Sequence, residues 1–358
     1  MRNPAEAQVQ SRGRPPVISI WVITGCLLLL SACGAHPPAV RNENHIPKLA
    51  LAHFETADGR VLPVLSVLPP RDDMKALIVA VHGFNDYKRA FSSVAPLLRA
   101  QGIGLMAYDQ QGFGMASDRG MWAGIDVYAR DLRSMLIEAQ KKFHGIPIYV
   151  LGESMGAAVA ISAFEAADLP GVSGVILSAP AVWSRDTMPW YQQLALSLAA
   201  WTVPEMKLTG SGLRRQASDN LEMLRELGRD PWVIKETRVA AIQGLADLMD
   251  RAQMALDRLS IPLLVLYGGR DEIIPKEPVE QALRRSIGHP NVRVAFYPFG
   301  FHLLLRDIQA EIPLNDLCSW ILAPKRPLPS GCEVGMSDFT AWELKSPGTC
   351  RAGPSGPG

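Results

Sequence analysis

The apolar positions of this chain fall into short continuous runs that alternate with segments of helical periodicity. Six of the runs predict strands buried on both faces, since their residues are consecutive and mostly aliphatic or β-branched. These runs are Ala76–Val81, Gly104–Tyr108, Ile148–Leu151, Val175–Leu177, Pro262–Tyr267 and Val292–Tyr297. Between the first four runs, helices are predicted at Phe91–Gln101, Asp126–Phe143 and Met155–Ala167. Such alternation predicts an α/β fold with a mostly parallel sheet.

The alternation is preceded by a hairpin and interrupted once. Leu49–Glu55 and Val61–Leu68 flank Asp58-Gly59, a dipeptide typical of a tight hairpin, so the sheet is predicted to begin there. From about residue 182 to 241 the pattern is mostly helical instead. Four tryptophans are concentrated in that stretch, namely Trp183, Trp190, Trp201 and Trp232. An insertion of this size between two strands predicts a helical cap over the edge of the sheet.

The first 32 residues have the pattern of a targeting peptide. Arginines precede the apolar run Val17–Leu30, which is shorter than the ~20 residues of a spanning helix and typical of a signal-peptide core. Leu30–Cys33 then resembles the bacterial lipobox, in which the cysteine becomes the lipid-carrying N-terminus. We therefore expect Cys33 to be lipidated, residues 33–48 to form a tether, and the protein to lie in the bacterial cell envelope, on the outer membrane facing the periplasm. An uncleaved signal anchor with an incidental cysteine is the alternative.

Charge and composition limit the kinds of partner, disulfide and metal site that we expect. The 358 residues carry a formal net charge of +1 without a basic run, so nucleic acid is not expected as a partner. With the signal peptide removed and Cys33 acylated, Cys318, Cys332 and Cys350 remain. A disulfide between Cys318 and Cys332 and a set of unpaired thiols both stay open. The sequence has no CxxC motif or Cys/His cluster, so no metal site is predicted. Residues 324–358, rich in Pro, Gly and Ser, are predicted to be a disordered tail.

The main candidate for chemistry is a serine between a strand and a helix. Gly152-x-Ser154-x-Gly156 follows the apolar run 148–151 and opens a helical run of small residues. A nucleophile on such a sharp turn needs glycines on both sides, because side chains would clash where the helix packs against the sheet. The turn also lifts the hydroxyl of Ser154 clear of the sheet. We therefore predict Ser154 as a nucleophile, with a passive serine in a tight turn as the alternative.

A serine hydroxyl needs a base to take its proton, and chain order selects the candidates. In the order nucleophile, acid, histidine, only His289 and His302 lie downstream of the next acid candidate. His302 follows the last strand and opens a helical run, whereas His289 precedes a proline in a turn, so His302 is the predicted base. Asp271 lies just past the run Pro262–Tyr267 in a Gly-rich loop and is predicted to orient the imidazole; Glu272 is its nearest competitor.

A tetrahedral oxyanion needs two N–H donors, and the backbone offers two candidates. One is Met155, directly after the nucleophile at a helix N-terminus, and the other is Phe84, in the loop after Ala76–Val81. His82 comes too early in the chain to be the base and is predicted to order that loop through backbone hydrogen bonds. The tight loop Asp109–Gly114, at the same edge of the sheet, is predicted to be a supporting turn.

These motifs resemble the α/β-hydrolase fold in order and spacing, and in detail its monoacylglycerol lipase and lysophospholipase branch. The resemblance spans about residues 49–323 and rests on His82-Gly83, Asp109–Gly114, Gly152–Gly156, Gly269–Pro275 and Phe301-His302. It implies a mostly parallel doubly wound sheet with a helical cap inserted before the acid-bearing strand. It also implies a triad, two oxyanion donors, a monoacylated lipid as substrate and no cofactor; the residues concerned are Ser154, Asp271, His302, Phe84 and Met155. Glu153, where many members have histidine, and Ala157, where a third glycine is common, depart from the pattern.

The cap bears on the substrate independently of the resemblance. Residues 188–201 are apolar over most of their faces, which suits an acyl-chain tunnel, a membrane-facing surface or simple packing on the sheet. We therefore expect a lipid-anchored serine carboxylic-ester hydrolase that acts on monoacylated lipids through an acyl-enzyme. A small aryl or acyl esterase, a thioesterase or an acyltransferase of the same fold is the alternative. A non-catalytic envelope lipoprotein is a more distant one.

Overall fold

The structure, a computed structural model, describes residues 44–166, 169–210, 215–286, 289–335 and 350. The predicted signal peptide, residues 1–32, and the predicted lipidation of Cys33 lie outside the described residues, so both stay predictions. Within the described ranges, none of the helices combines the length and the apolar character needed to cross a bilayer.

A nine-stranded sheet forms the centre of the molecule, and its strands lie in the order β1-β2-β3-β5-β4-β6-β7-β10-β11. Two further strands, β8 and β9, pair separately. In chain order the strands are β1 (Lys48–Leu49), β2 (His53–Glu55), β3 (Val61–Val67), β4 (Ala76–Val81), β5 (Ile103–Tyr108), β6 (Ile148–Glu153), β7 (Val172–Ser178), β8 (Lys207–Thr209), β9 (Glu236–Arg238), β10 (Leu263–Gly268) and β11 (Val292–Tyr297).

Six neighbouring strands, from β5 across to β11, run parallel, while β1, β2 and β3 form an antiparallel edge. The chain passes from β4 to β5 on one side and then returns to β6 on the other side of β4. The strand order therefore reverses between β4 and β6, which opens a crevice at the carboxyl ends of these two strands. In open α/β sheets this crevice is the usual place for a ligand site. The predicted α/β fold with a mostly parallel sheet is confirmed.

Helices cover both faces of the sheet. In chain order they are α1 (Ala95–Ala100), α2 (Ile125–Lys142), α3 (Met155–Ala166), α4 (Trp190–Thr202), α5 (Leu221–Arg229), α6 (Val239–Ala255), α7 (Lys276–Ser286) and α8 (Glu311–Leu322). Along β4, Leu77, Val79 and Val81 belong to one buried cluster, whereas Ile78 and Ala80 belong to a second one. Alternate residues of this strand thus face two separate cores, which is the two-sided burial that continuous apolar runs predict.

The segment predicted as a helical cap, residues 182–241, contains α4, α5 and the antiparallel pair β8–β9. The β8–β9 pair was not predicted. The start of the segment is tied to α6, because Arg185 Nε donates to Asp250 Oδ2 at 2.6 Å and its Nη2 donates to Asp247. These two carboxylates therefore hold the chain at the start of the segment 182–241.

The prediction of a disordered tail is wrong for residues 324–335. Glu333 forms an antiparallel bridge with Ala295 on β11, and Arg293 on the same strand pairs with both carboxylate oxygens of Glu333 at 2.7 and 2.6 Å. The physical reason is that β11 is an edge strand, whose free backbone groups accept a further partner. Residues 336–349 and 351–358 of the predicted tail lie outside the described residues.

Three cysteines lie near this edge, and the structure pairs Cys332 with Cys350. Cys318 is a buried free thiol on α8. Of the possibilities left open by the sequence, the Cys318–Cys332 disulfide is therefore wrong, since Cys318 points into the core between α8 and the sheet.

Candidate active site

Ser154 lies on the sharp turn between β6 and α3. Its φ angle is +54°, a left-handed conformation that residues other than glycine rarely adopt. Ser154 N donates to Ser178 O on β7 at 2.9 Å, and Ser154 O accepts from Ala157 N at 3.0 Å, so both sides of the turn are fixed. The turn places Ser154 at the carboxyl end of β6, beside the crevice between β4 and β6.

The two motif glycines are required by close backbone contacts. A Cβ atom on Gly152 would lie 2.5 Å from the backbone of Ala157, and one on Gly156 would lie 2.0 Å from Val81 O. Contacts this short are incompatible with any side chain, because the obstacle is backbone. The N-terminus of α3 therefore packs directly against the end of β4, as the G-x-S-x-G pattern predicts.

Asp271 and His302 are joined by a hydrogen bond of 2.8 Å between Asp271 Oδ2 and His302 Nδ1. The other carboxylate oxygen, Asp271 Oδ1, accepts from the backbone N–H groups of Ile273 at 2.8 Å and Ile274 at 3.0 Å. The Asp271 side chain is fully buried and His302 is buried as well. Because an ionised carboxylate only accepts, Nδ1 of His302 carries the proton and Nε2 is left as an acceptor.

Glu272 and His289, the other candidates for the acid and the base, lie in different surroundings. Glu272 Oε2 accepts from the backbone N–H of Gln216 at 2.8 Å, and His289 is exposed. The structure therefore brings Asp271 together with His302. Within the described part of the chain, no three or more His, Cys, Asp or Glu side chains come together as a possible metal site.

The loop that carries His302 is held by the cap. Leu303 N donates to Ala217 O at 2.9 Å, and Ser218 Oγ donates to Asp307 Oδ1 at 2.6 Å. Burial raises the pKa of the Asp307 carboxyl to about 6, against the opposing effect of the Ser218 hydrogen bond. Since Leu303 directly follows His302, the position of the imidazole depends on where this part of the cap lies.

The two predicted oxyanion donors lie on the two loops beside the crevice. Met155 is the first residue of α3, where backbone N–H groups have no acceptor within the helix. Phe84 lies in the loop after β4, and its ring contacts Phe113 and Trp122 at centroid distances of 5.8 and 6.4 Å. That loop passes close to the nucleophile, because a Cβ atom on Gly83 would lie 3.4 Å from the Ser154 Cβ.

His82 orders the neighbouring loops through hydrogen bonds to the backbone, as predicted, and Asp109 binds a further loop residue. His82 Nδ1 bonds to Gly83 O at 2.8 Å, and His82 Nε2 accepts from Gln110 N at 3.0 Å. Burial lowers the pKa of His82, so the imidazole is neutral and serves as a bridge between two loops. Asp109 accepts from Lys88 N at 2.9 Å and from Lys88 Nζ at 3.0 Å.

Sequence reasoning missed Arg306, which is buried among the loops of the site. Arg306 Nη1 donates to Asp86 Oδ2 at 2.8 Å, and Nη2 donates to Glu153 Oε1. Burial opposes the charge of Arg306, but the two carboxylates outweigh it and raise the pKa of the guanidinium. Burial likewise raises the pKa of the Glu153 carboxyl, and the charge of Arg306 opposes that shift. No signal in the sequence connects these three residues except the departure at Glu153.

Comparison with known protein families gives one match over most of the chain. The Hydrolase_4 family model, described as "Serine aminopeptidase, S33", matches residues 72–309. This range is two thirds of the chain and includes all the loops of the site.

Curated relatives and solved structures are similar to the chain at low identity. Monoglyceride lipase of Mus musculus is 26% identical over 290 residues, covering 78% of this chain and 93% of the mouse protein. Monoacylglycerol lipase of Mycolicibacterium smegmatis is 26% identical over 280 residues, covering 76% and 96%. A soluble variant of monoglyceride lipase from Saccharomyces cerevisiae, solved with a substrate analog, superposes with a TM-score of 0.66 at 19% identity, covering 82% of this chain and 100% of that one. The structural likeness confirms the predicted α/β-hydrolase fold.

Proposed function

The chain belongs to the Hydrolase_4 family, described as "Serine aminopeptidase, S33", and from this premise we propose that it is a serine hydrolase cleaving carboxylic esters of monoacylated lipids. The observation that carries the proposal is the strained Ser154 turn at the same sheet edge as the hydrogen-bonded pair Asp271–His302. The mouse and mycobacterial lipases, aligned over more than three quarters of this chain, support a lipid ester rather than a peptide as substrate.

In the first half of the proposed reaction the enzyme is acylated. Ser154 Oγ attacks the carbonyl carbon of the ester while its proton passes to Nε2 of His302, and Asp271 stabilises the imidazolium that forms. The backbone N–H groups of Phe84 and Met155 donate to the oxyanion. When the tetrahedral intermediate collapses, the bond to the leaving oxygen breaks and His302 gives its proton to the departing alcohol.

In the second half a water molecule takes the place of the alcohol. His302 removes a proton from this water, whose oxygen attacks the acyl carbon, and the same two N–H groups hold the second oxyanion. Collapse breaks the bond to Ser154 Oγ, which recovers its proton from His302, and a fatty acid leaves. The cycle uses groups of the chain and water alone.

The surface of the cap supports a lipid substrate. Helix α4 contains no charged residue and no buried residue, although most of its side chains are apolar. Trp190 is 74% exposed and Trp201 is 65% exposed, with Leu194 and Leu198 exposed between them. Exposed apolar residues that form one continuous surface mark a contact with a partner or a membrane, and tryptophan favours the boundary between lipid and water. We propose that α4 contacts the lipid aggregate from which the substrate enters.

The proposed location follows from the N-terminal sequence. Lipidation at Cys33 would hold the enzyme in the bacterial envelope, with residues 33–48 as a tether between the membrane and β1. An anchored enzyme with an apolar cap surface would meet monoacylated lipids where they form.

A chain-length series tests the substrate class. We expect hydrolysis of monoacylglycerols and p-nitrophenyl esters to rise from short to medium or long acyl chains, since the apolar cap favours a longer chain. Matched thioesters and an aminoacyl p-nitroanilide, assayed with the same enzyme, test the rival activities. A preference for acetate esters would leave the serine mechanism but contradict the lipid assignment, and faster cleavage of the anilide than of any ester would favour a peptidase.

A further inference from the structure

Arg306 is the centre of a buried ion network that the reaction steps above do not use. Its side chain is 6% exposed, and the side chains of its partners Asp86 and Glu153 are 9% and 1% exposed. A single guanidinium therefore binds two carboxyl groups, one with each of its terminal nitrogens.

The three residues come from the three segments that carry the site. Glu153 ends β6 directly before the predicted nucleophile, and Asp86 lies in the loop that carries Phe84. Arg306 ends the 3-10 turn that follows His302. The guanidinium thus fixes the base, the nucleophile and one oxyanion donor relative to one another, because its fork is planar and rigid.

Asp86 connects Arg306 to the loop that carries Phe84. Its Oδ1 accepts from Tyr87 N at 2.8 Å while its backbone N–H donates to Gly83 O at 3.3 Å, which closes a tight turn around Phe84. Arg306 holds the remaining oxygen of Asp86. The direction of the Phe84 N–H group therefore depends on the position of Arg306.

Stability alone does not account for the network. Buried ion pairs are often no more stable than apolar side chains of the same volume, because removing the charges from water is costly. Within the described residues, Glu153 Oε2 and Arg306 Nε are buried without a hydrogen-bond partner, which adds to that cost. A network that costs stability is better explained by the geometry it imposes on the site.

We propose that Arg306 is a positioning residue, which aligns His302, Ser154 and the Phe84 N–H group for the transition state through its contacts to Glu153 and Asp86. The inference rests on the proposed function, since it concerns the geometry of that same reaction. Misalignment of catalytic groups by about 1 Å costs up to roughly 100-fold in rate. The predicted loss is therefore in kcat, because the proposed role of these three residues is to align the reacting groups and not to bind the substrate.

The test compares variants of the full chain with p-nitrophenyl butyrate, after titration of active enzyme by a fluorophosphonate. Arg306→Met is expected to lower kcat roughly 10- to 100-fold with KM changed by less than about threefold. Arg306→Lys keeps the positive charge but loses the planar fork of the guanidinium. Its kcat is therefore expected to lie between those of wild type and Arg306→Met. Arg306→Met leaves two buried carboxylates unpaired and could fail to fold for that reason alone. The triple variant Asp86→Asn, Glu153→Gln, Arg306→Met removes all three buried ionisable groups and is therefore expected to fold.

Arg293→Met is the matched control. Arg293 lies on β11, away from the loops of the site, and its substitution breaks a bidentate arginine–carboxylate pair with Glu333. It is expected to keep the wild-type kcat per titrated site. A folded triple variant with a kcat at least about tenfold below wild type supports the proposal. A triple variant or Arg306→Met with wild-type kcat, or an equal loss in Arg293→Met, would overturn it. A folded wild type that neither binds the fluorophosphonate nor cleaves the ester would overturn the proposed function, and this inference with it.

Discussion

At the scale of single residues, the site depends on one strained serine and on the glycines beside it. A left-handed residue other than glycine costs on the order of 1 to 3 kcal/mol. Ser154 keeps this conformation because β7 and α3 bond to its backbone on both sides, and because Gly156 lets α3 approach β4. The geometry of the nucleophile is thus set by close packing of backbone.

Substituting Gly156 tests this packing. Gly156→Ala would place a methyl group 2.0 Å from Val81 O, so we expect a loss of more than about 3 kcal/mol in the free energy of unfolding, measured by urea denaturation. Gly228→Ala is the control, because a Cβ atom there, near the end of α5, has no atom within 4 Å. It is expected to leave stability unchanged or to raise it by up to about 1 kcal/mol. A Gly156→Ala protein as stable as wild type would contradict this account of the turn.

Asp131 predicts a pH dependence of stability. It is buried on α2 beneath the loop Asp109–Gly114, and burial raises its pKa to about 7 while a hydrogen bond from Gln111 opposes the shift. Since the folded pKa exceeds the unfolded value of 3.8, the stability from protonated Asp131 is present at low pH and is lost as the pH rises through about 7.

Between pH 5 and 8 the free energy of unfolding is therefore expected to fall less in Asp131→Asn than in wild type. The difference between the two decreases is expected to be roughly 2 to 3 kcal/mol. The amide retains the oxygen that accepts from Gln111 and stays neutral. Urea denaturation of both proteins at each pH measures the difference. Parallel pH profiles for the two proteins would show that Asp131 is not the group responsible.

At the scale of elements, α4 is unusual because it is apolar and exposed at the same time. Its predicted role is to contact the lipid aggregate that supplies the substrate. We expect Trp190→Ser with Trp201→Ser to lower hydrolysis of monoacylglycerol in vesicles roughly five- to tenfold, because the loss of two aromatic rings weakens binding to lipid. Hydrolysis of dissolved p-nitrophenyl butyrate is expected to stay within about twofold of wild type.

Trp232→Ser is the matched control for α4, since Trp232 lies elsewhere in the cap and packs under Arg119. Trp232→Ser is expected to change hydrolysis of monoacylglycerol in vesicles and hydrolysis of dissolved p-nitrophenyl butyrate by the same factor. Equal activity of the α4 variant and wild type on vesicles would contradict a lipid-contacting role for this helix.

The elements differ in how well the sequence predicts them. Buried strands such as β4 and β10 were predictable, because two-sided burial leaves a continuous apolar run. The hairpin before them was predictable from Asp58-Gly59, and Gly59 has the positive φ angle that such a turn requires. Strands β8 and β9 were not predictable, since each has three residues with no apolar alternation and is set by pairing within the cap. The order of residues 324–335 depends on the free edge of β11, which no local composition reveals.

At the scale of the whole molecule, Glu333 pairs with the edge strand β11, and the neighbouring Cys332 is joined to Cys350. A disulfide that closes a loop of this length contributes about 3 kcal/mol. We therefore expect Cys332→Ser with Cys350→Ser, or a reductant added to wild type, to lower the free energy of unfolding by about that amount. Cys318→Ala is the control, because Cys318 is a free thiol. Adding the reductant to this variant is expected to lower the free energy of unfolding as it does in wild type. An unchanged stability of the double variant would contradict a structural role for this disulfide.

The site as a whole joins residues that are far apart in sequence, and only part of it was predictable. The sharp turn at Ser154 was predictable from local spacing, and the contact between Asp271 and His302 was predictable because chain order limits the candidates. Arg306 was not predictable, since its partners Asp86 and Glu153 lie 220 and 153 residues away and neither Arg306 nor Asp86 belongs to a motif. Buried ion pairs between distant loops depend on the completed fold, so a single sequence does not reveal them.

All the proposed chemistry depends on Ser154 as the nucleophile of a serine hydrolase. The most direct measurement is the intact mass of the protein after reaction with a fluorophosphonate, compared with Ser154→Ala and with Ser162→Ala. Ser162 is a matched control, because it is a buried serine on α3, the helix that follows Ser154, and takes no part in the proposed reaction. We predict one adduct on wild type and on Ser162→Ala, and none on a folded Ser154→Ala. An adduct on Ser154→Ala at the wild-type rate, or no adduct on folded wild type, would contradict the account.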